Sequence, residues 1–283
     1  MKVGHDDETV ADANAHFAFG ENWAKYSERV SDTEIEEAIA GLRKLLAGRS
    51  LKGRRFLDIG CGSGIHSVAA MRLGASEVLA VDIDPLAVET TKEILGRFAS
   101  DSRYRVEQAS VFDLEPAVSG RFDVVYSWGV LHHTGNMRLA LRKAAGMVEP
   151  GGDFLFALYR RTWMCPVWRL EKKWYSKASA GAQSIARAVY LTFFVPRLWV
   201  AGRSFNLYVR SYRKTRGMDY FHDLHDWLGG YPYESISSGE VDGLMRNLGL
   251  ARRLSFVEKR MISRLGIFGS GCDEYVYTLG SMI

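Results

Sequence analysis

The sequence predicts an α/β protein built on a doubly wound, mostly parallel seven-stranded sheet. Short apolar runs alternate with helical patterns along the first half of the chain, and the first run ends in a glycine-rich turn. The last two apolar runs follow one another without a helix between them, which indicates a closing antiparallel pair. The 283 residues are 47% apolar and 25% charged, a composition that excludes disordered, collagenous and disulfide-stapled classes.

The strands are predicted from apolar runs bounded by turn residues. The five parallel strands are expected at residues 55–59, 78–81, 103–108, 122–127 and 154–158, and the closing pair at 254–259 and 274–279. Helix starts are marked by capping residues: Ser31 and Ser237 each precede a Glu by three positions, Asp84 precedes Pro85, and Asn136 precedes an amphipathic run.

The alternation stops after the fifth strand, so residues 160–235 are predicted to be a helical insertion that acts as a lid and selects the substrate. Residues 1–51 are expected to form helices that close over the site, 52–159 the core, and 236–283 the helix and hairpin that complete the sheet. Residues 160–216 hold 13 Lys and Arg and one acid, a net charge of +12, whereas the remainder has 24 basic and 32 acidic residues.

The cysteines and the apolar windows bear on location. Cys61, Cys165 and Cys272 lie far apart and form no CxxC pair, so neither a disulfide framework nor a cysteine zinc site is indicated. The most apolar window, 185–201, is interrupted by two Arg and a Pro, which argues against a transmembrane span. A cytoplasmic location is predicted, with peripheral contact to a membrane as an extension of it.

The first glycine-rich turn lies where an open α/β sheet binds ligands, at the carboxyl end of a strand. It reads Leu57-Asp-Ile-Gly-Cys-Gly-Ser-Gly64, with a carboxylate two residues before the first glycine. An acid at that position disfavours a phosphate and favours a ligand with an ammonium group. Asp82 ends the second strand, 22 residues after Gly60, where an acid can accept both hydroxyls of a ribose. A dinucleotide fingerprint fits less well, because the spacing is GxGxG.

Four motifs together resemble the class I S-adenosylmethionine (SAM)-dependent methyltransferases. They are LDIGCGSG at 57–64, VDID at 81–84, SWGVLHHT at 127–134 and PGG at 150–152, and the likeness covers about residues 52–158 with the last helix and hairpin. The pair of histidines in the third motif resembles the small-molecule and quinone-type members. The resemblance implies a Rossmann-like methyltransferase fold, SAM as cofactor with S-adenosylhomocysteine as product, and no metal.

The resemblance also implies which residues meet the cofactor. Asp58 and the Gly60–Gly62 backbone, which includes Cys61, would hold the methionine portion, Asp82 the ribose and Ile83 the adenine. The remaining cofactor contacts would come from Gly64, Ser110, Val111, Ser127 and Trp128. Ser110 departs from the family pattern, in which many relatives carry an acid.

His133 is the candidate general base and His132 the second candidate, because imidazole titrates near neutral pH. The competing interpretation is that one histidine of the pair only hydrogen-bonds a turn. The chain lacks the (Asp/Asn)-Pro-Pro-aromatic turn typical of nucleic-acid amino-methylating enzymes. We therefore expect a small organic acceptor, acidic or lipid-like, methylated at oxygen in preference to carbon or nitrogen.

The predicted acceptor contacts come from both ends of the chain. Trp23 and Tyr26 resemble pocket-lining residues of an N-terminal helix, although a packed helix end explains them equally well. In the insertion, His222 and the turn that carries Tyr231 and Tyr233 are the further candidates. A metal interpretation of His222 and its neighbouring acids is rejected, because methyl transfer from a sulfonium needs no metal.

The basic, aromatic stretch at 160–216 leaves four interpretations open. It forms salt bridges to the acidic body, binds an acidic acceptor, contacts an anionic membrane, or binds RNA. RNA ranks last because the chain shows no RNA-binding module, so nucleic acid is disfavoured as a partner. For the whole chain, the alternatives to a small-molecule enzyme are an RNA methyltransferase and a non-catalytic SAM-binding protein. The sequence leaves the oligomeric state open, including a homo-oligomer.

Overall fold

The computed structural model describes residues 20–99, 103–216, 220–258 and 265–281, and contains one seven-stranded sheet. The strand order is β3-β2-β1-β4-β5-β7-β6. The strands are β1 (Arg55–Ile59), β2 (Glu77–Asp82), β3 (Tyr104–Gln108), β4 (Phe122–Trp128), β5 (Val148–Tyr159), β6 (Leu250–Phe256) and β7 (Cys272–Leu279). β1 to β5 pair in parallel and β7 runs antiparallel to both β5 and β6. The predicted fold class is confirmed.

The described part of the chain contains eleven α-helices, four of which begin directly after the predicted capping residues Ser31, Asp84, Asn136 and Ser237. The helices are α1 (Gly20–Ser27), α2 (Asp32–Leu46), α3 (Ile65–Arg72), α4 (Pro85–Phe98), α5 (Pro116–Ser119), α6 (Met137–Gly146), α7 (Cys165–Tyr175), α8 (Ala180–Val200), α9 (Phe205–Arg216), α10 (Tyr220–Gly229) and α11 (Ser238–Asn247). Ser31 and Ser237 form complete capping boxes with Glu34 and Glu240.

Two strands begin four or more residues before their predicted bounds, whereas the starts of the others agree to within two residues. β5 begins at Val148 and includes the Pro-Gly-Gly turn, because a register shift against β4 lets the chain pair on both sides of that turn. β6 begins at Leu250, four residues earlier than expected, and its exposed Ala251 and Arg252 hid the edge strand from an apolar-run criterion.

Apolar side chains cover both faces of the sheet. Phe56 and Leu57 of β1 are adjacent and fully buried, one in the cluster with α2, α3 and α4 and the other in the cluster with α6 and α11. Burial on both faces explains why the inner strands β1, β2, β4 and β5 read as mostly apolar runs, whereas the edge strand β3 (YRVEQ) is partly exposed.

The insertion after β5 consists of α7 to α10, which share an aromatic core of their own. It joins the sheet at Arg160, whose guanidinium pairs with the buried Asp273 of β7, Nε to Oδ1 at 2.9 Å. The chain returns to the sheet beside that point, through a bridge between Arg160 and Ile236. Both ends of the insertion are therefore fixed at the carboxyl end of β5.

Within the described ranges, no helix taken singly has the length and apolar character to cross a bilayer. α8 and the segment Phe205–Tyr212 of α9 reach that length and apolar character only when they are taken together, and the two helices are bent by 103° relative to each other.

Candidate functional site

A cavity of about 360 Å³ opens at the carboxyl ends of the parallel strands, the edge at which open α/β sheets bind ligands. The residues after β1, β2 and β3 line one end of the cavity. The residues after β4 and β5 line the other end, together with α10. α1 borders the cavity through Gly20, Trp23 and Tyr26.

The glycine-rich turn after β1 directs its amides toward β2. Gly60 and Cys61 both donate to the carbonyl oxygen of Val81, at 2.8 and 3.1 Å, and Gly62 donates to Asp82 Oδ2 at 3.0 Å. Gly60 has a φ of 74°, and a Cβ there would lie 2.4 Å from Val130 Cγ2, so the turn requires glycine. A pyrophosphate cradle needs such amides to point at the ligand, and here all three are bonded within the protein.

Asp58 is a buried carboxylate at the end of β1. It is 2% exposed, and its Oδ2 accepts a hydrogen bond from Ser67 Oγ at 2.7 Å. Burial raises the pKa of Asp58 from 3.8 to about 7, against the lowering effect of Ser67, and the charge of Asp82 adds a smaller increase. A cationic ligand in the cavity would stabilise the ionised form.

Asp82 ends β2 at the wall of the same cavity. Its two oxygens accept from the amides of Gly62 and Asp84, each at 3.0 Å, and burial raises its pKa. These bonds fix the orientation of the carboxylate while each oxygen keeps further acceptor capacity. Ile83 follows with a half-exposed side chain that also lines the cavity.

Asp84 acts as a helix cap, as the sequence indicated. Its Oδ1 accepts from the amide of Leu86 and its Oδ2 from the amide of Gly20, both at 2.9 Å. The second bond ties the start of α1 to the cofactor end. Trp23 then lies over the glycine-rich turn, because a Cβ on Gly62 would be 3.0 Å from its Cε2 atom.

After β3, Ser110 and Val111 line the cavity as predicted. Ser110 Oγ accepts from the amide of Phe112 at 3.3 Å and so caps a short 3-10 turn at Val111–Asp113. Trp128, after β4, also lines the cavity and donates from its Nε1 to Glu274 Oε1 at 3.1 Å.

His133 lies at the far end of the cavity on a 3-10 turn after β4. Its Nδ1 is 2.7 Å from the carbonyl oxygen of Pro232. Because a carbonyl oxygen can only accept, Nδ1 carries the proton in the neutral ring and Nε2 carries the lone pair. Gly230 packs against the same ring: a Cβ on Gly230 would lie 2.6 Å from His133 Cε1.

His132 is fully buried, and its Nδ1 accepts from the amide of Tyr159 at 3.3 Å. Burial lowers the pKa of His132 well below its usual value, so the ring is neutral and bonded to the strand end. Both histidines line the cavity: His132 holds the end of β5 through its Nδ1, and His133 stays the candidate for the general base.

Two of the predicted cofactor residues do not line the cavity. Gly64 begins α3 with a φ of 77° and allows close packing on Thr91, to which a Cβ would come within 3.0 Å. Ser127 is fully buried and its Oγ donates to the carbonyl oxygen of Ile59 at 3.0 Å, so it joins β4 to β1. Cys61 does line the cavity, as a buried thiol that accepts from Thr91 Oγ1 at 3.3 Å.

The predicted acceptor residues of the insertion also need correction. Tyr233 is buried behind the wall, its ring 5.2 Å from that of Tyr159, and its hydroxyl lies 3.2 Å from Cys165 Sγ and 3.1 Å from Ser270 Oγ. Tyr231 is absent from the described lining, because its amide bonds back to Gly229 and closes the turn. His222 lies in α10, and its side chain falls outside the described part of the structure.

The structure adds three lining residues that the sequence did not single out for this role: Asp223, Asp226 and Trp227 of α10. Their i, i+3, i+4 spacing puts them on one helix face. This spacing shows that the three residues share a face, but it does not show that the face borders the cavity. Tyr159 and His66 also line the cavity, and burial lowers the pKa of His66 to about 4. In the described ranges, no group of three or more His, Cys, Asp and Glu side chains could hold a metal ion.

The sheet order, the paired acids at the ends of β1 and β2 and the glycine-rich turn between them are those of the class I SAM-dependent methyltransferase fold. Residues 57–156 match the sequence family described as "Methyltransferase domain". The match runs from β1 to β5 and ends before the insertion.

Curated relatives are similar to this chain over the same region. A ubiquinone biosynthesis O-methyltransferase of Xanthomonas campestris pv. campestris is 35% identical over 113 residues, which cover 40% of this chain and 46% of that protein. The enzyme of the same name from Brucella ovis is 34% identical over 142 residues, 50% of this chain and 52% of that protein. The chain thus spans about half the length of the curated relatives it matches.

Solved structures are similar over a longer stretch at low identity. The magnesium protoporphyrin IX methyltransferase of Synechocystis PCC 6803 with bound SAH aligns with a TM-score of 0.52 and 13% identity, covering 88% of this chain and 84% of that one. PKMT2 from Rickettsia typhi in complex with AdoHcy gives 0.58 and 16%, covering 86% of this chain and 52% of that one. At these identities the likeness concerns the fold.

Proposed function

We propose that this protein transfers a methyl group from SAM to an oxygen of a small organic acceptor. The observation that carries the proposal is the pair of acids at the ends of β1 and β2, beside a turn whose amides are bonded inward. A site with two carboxylates, in which the amides of Gly60, Cys61 and Gly62 are bonded within the protein, suits a ligand with an ammonium group and a ribose. It does not suit a pyrophosphate.

The residues present fit SAM. Asp58 would accept from the ammonium of the methionine portion, and that positive charge would offset the cost of ionising a buried carboxylate. Asp82 would accept from the ribose hydroxyls, with Ile83 and Val111 beside the adenine. Bound SAM supplies a methyl group on a positively charged sulfur, which a nucleophile can displace.

His133 would remove the proton from the acceptor hydroxyl. Its Nδ1–H bond to Pro232 holds the ring in the tautomer whose Nε2 can take up a proton. Protonation at Nε2 leaves the Nδ1–H bond in place, so the ring does not need to turn during the reaction. His132 would keep the turn in position through its bond to the amide of Tyr159.

The lining at the far end favours an uncharged acceptor with an aromatic or otherwise apolar body. Tyr159 and Trp227 supply apolar surface, and the carboxylates of Asp223 and Asp226 would repel an anion. No Lys or Arg occurs among the cavity-lining residues in the described ranges. This lining argues against the acidic acceptor that the basic insertion suggested, while an apolar, lipid-like acceptor keeps its support.

The proposal is tested by incubating the full-length protein with methyl-labelled SAM and a metabolite extract, then identifying the labelled species. Label in a small molecule as a base-stable methyl ether supports the proposal. Label in bulk RNA, with tight and steeply salt-dependent RNA binding, would identify an RNA methyltransferase instead. SAM binding without turnover on any pool would indicate a non-catalytic SAM-binding protein.

A cytoplasmic location stays a prediction that depends on the cysteine pattern.

A further inference from the structure

We propose that the outer faces of α7 and α8 form a docking surface for an anionic lipid bilayer. This outer surface comprises Trp163, Val167, Leu170 and Trp174 on the α7 side and Ile185, Val189, Phe193, Trp199 and Val200 on α8. All nine side chains are exposed large hydrophobic groups. The inference concerns where the protein binds and does not depend on which acceptor it methylates.

The helix periodicity separates the two faces of α7. Trp163, Val167, Leu170 and Trp174 recur at spacings of four, three and four residues, so they lie on one side. Lys172 and Tyr175 lie on the opposite side and are fully buried against α10, with Lys172 Nζ 4.2 Å from the Trp227 ring. Since α7 already packs on the body through its inner face, its outer apolar face has no role in folding.

α8 repeats this arrangement on a larger scale. Its inner face buries Phe194 and Leu198 in the core of the insertion. The outer face is exposed and carries one polar residue, Thr192; its members are Ile185, Ala188, Val189, Thr192, Phe193, Pro196, Trp199 and Val200. A 21-residue helix that turns an apolar face outward leaves a strip that water solvates poorly.

Basic side chains adjoin the outer surface along the chain. Lys173 is exposed in the last turn of α7, Lys177 just after it, Arg203 just after α8 and Arg210 within α9. Arg160 and Arg161, at the root of the insertion, pair with Asp273 and Glu240. For the other bases between 165 and 212, no carboxylate of the described residues lies within ion-pairing distance. The interpretation that the insertion's arginines salt-bridge the acidic body thus holds only at its root.

Exposed Trp, Phe and Leu flanked by Lys and Arg are what an anionic bilayer surface accommodates. The apolar rings enter the headgroup boundary and the cations remain at the phosphates. Residues 160–216 carry 13 bases and one acid. This positive charge favours an anionic bilayer over a second copy of the chain, because the second copy would bring an equal positive charge. Because the inner face of α8 packs into the core of the insertion, the helix would lie along the bilayer surface and would not cross the bilayer.

The proposed contact also bears on the cavity. α10 lies directly beneath α7, and Tyr175 of α7 bonds His225 of α10 through its hydroxyl, with 2.8 Å to Nδ1. α10 also carries the cavity residues Asp223, Asp226 and Trp227, and the Trp227 ring lies 4.2 Å from Lys172 Nζ of α7. Only two helices therefore separate the outer surface from the acceptor end.

The test is co-sedimentation of the full-length protein with vesicles. Equal parts of phosphatidylglycerol and phosphatidylcholine are compared with phosphatidylcholine alone, and we expect binding to the anionic vesicles at least about tenfold tighter. Raising the salt concentration should weaken it further, because the electrostatic part is screened. Vesicles with brominated acyl chains should quench tryptophan fluorescence, since three of the outer-surface residues are Trp.

Matched variants assign the contact to these residues. Val200→Asp removes an apolar side chain that is 91% exposed and should weaken vesicle binding about tenfold or more. Val118→Asp makes the same change at an 84% exposed position on α5, outside the insertion, and should leave binding unchanged. Lys173→Glu tests the contribution of positive charge to vesicle binding in the same way, and Lys52→Glu on the core is its matched control. SAM titration of each variant confirms that it is folded.

Three results would overturn the proposal. The first is the absence of binding to anionic vesicles, and the second is an equal loss in Val200→Asp and Val118→Asp. The third is a different occupant: a wild-type dimer that Phe193→Asp dissociates without any vesicle binding, or RNA binding that Phe193→Asp does not change.

Discussion

At the cofactor end of the cavity, each acid is held by neighbours in sequence, whereas at the acceptor end the key histidine is held by a distant segment. Asp58 bonds Ser67, nine residues on, and Asp82 bonds Gly62, 20 residues back. His133 bonds Pro232, 99 residues later, across the whole insertion. The core therefore positions the two acids of the cofactor end by itself, whereas a residue of the insertion positions His133 at the acceptor end.

The sharpest separation of the two ends comes from His133→Ala. We expect kcat to fall roughly 10²–10⁴-fold, the usual contribution of a general base. SAM affinity, measured by calorimetry, should not change. A loss of activity below threefold, or an equal loss of SAM binding, would show that the two ends are not separate.

Asp58, at the cofactor end, should also make the free energy of unfolding depend on pH. The folded protein keeps the Asp58 proton up to about pH 7, whereas the unfolded chain releases it near 3.8. Between these values the folded state binds more protons, so Asp58 makes the free energy of unfolding of the ligand-free protein fall as pH rises.

Asp58→Asn removes that dependence. At pH 8 the variant should be the more stable protein, by up to about 4 kcal/mol, because each tenfold change in acidity corresponds to about 1.4 kcal/mol. At pH 4 the difference should nearly vanish. Urea denaturation at both pH values measures it, and a variant less stable at pH 8 would contradict the burial argument.

The same variant should lose cofactor affinity. Removing a hydrogen bond between two charged groups costs about 1.5–3 kcal/mol, so we expect the Kd for SAM to rise about 10- to 150-fold. The wild-type affinity should itself weaken below pH 7, since a proton on Asp58 competes with the cation. An affinity that is flat between pH 6 and 8 would remove Asp58 from the site.

The smallest expected effect tests the long-range support of the acceptor end. Gly230→Ala introduces a Cβ 2.6 Å from His133 Cε1 and must displace the ring. A misplaced base reduces kcat roughly ten- to a hundredfold, and SAM binding should be retained. Gly239→Ala, which meets nothing within 4 Å, is the matched control and should keep full activity. Equal kcat in both variants would show that Gly230 does not support the base.

The sequence was most informative where structure is local. The capping residues, most of the strand positions and the pair Asp58 and Asp82 follow from patterns within about 30 residues, the length of one βαβ unit. Gly64 and Ser127 lie in the same motifs but face α4 and β1, a distinction that depends on side-chain direction and not on spacing.

The insertion was the region where sequence reasoning failed in detail. Tyr233 was predicted to face the acceptor, yet it supports Tyr159 from behind, because the fold of α7 against α10 decides which aromatic reaches the cavity. Asp226 and Trp227 were not expected in the lining for the same reason. Long-range packing of this kind leaves no periodic signal along the chain.

The central claim is that Asp58 and Asp82 bind a sulfonium nucleoside, and calorimetric titration of SAM into the wild type and Asp82→Ala tests it most directly. We predict one SAM site in the wild type, a Kd about 10- to 150-fold higher in the variant, and no measurable binding of NAD by either protein. Equal SAM affinity in the two proteins, or NAD binding tighter than that of SAM, would contradict the claim.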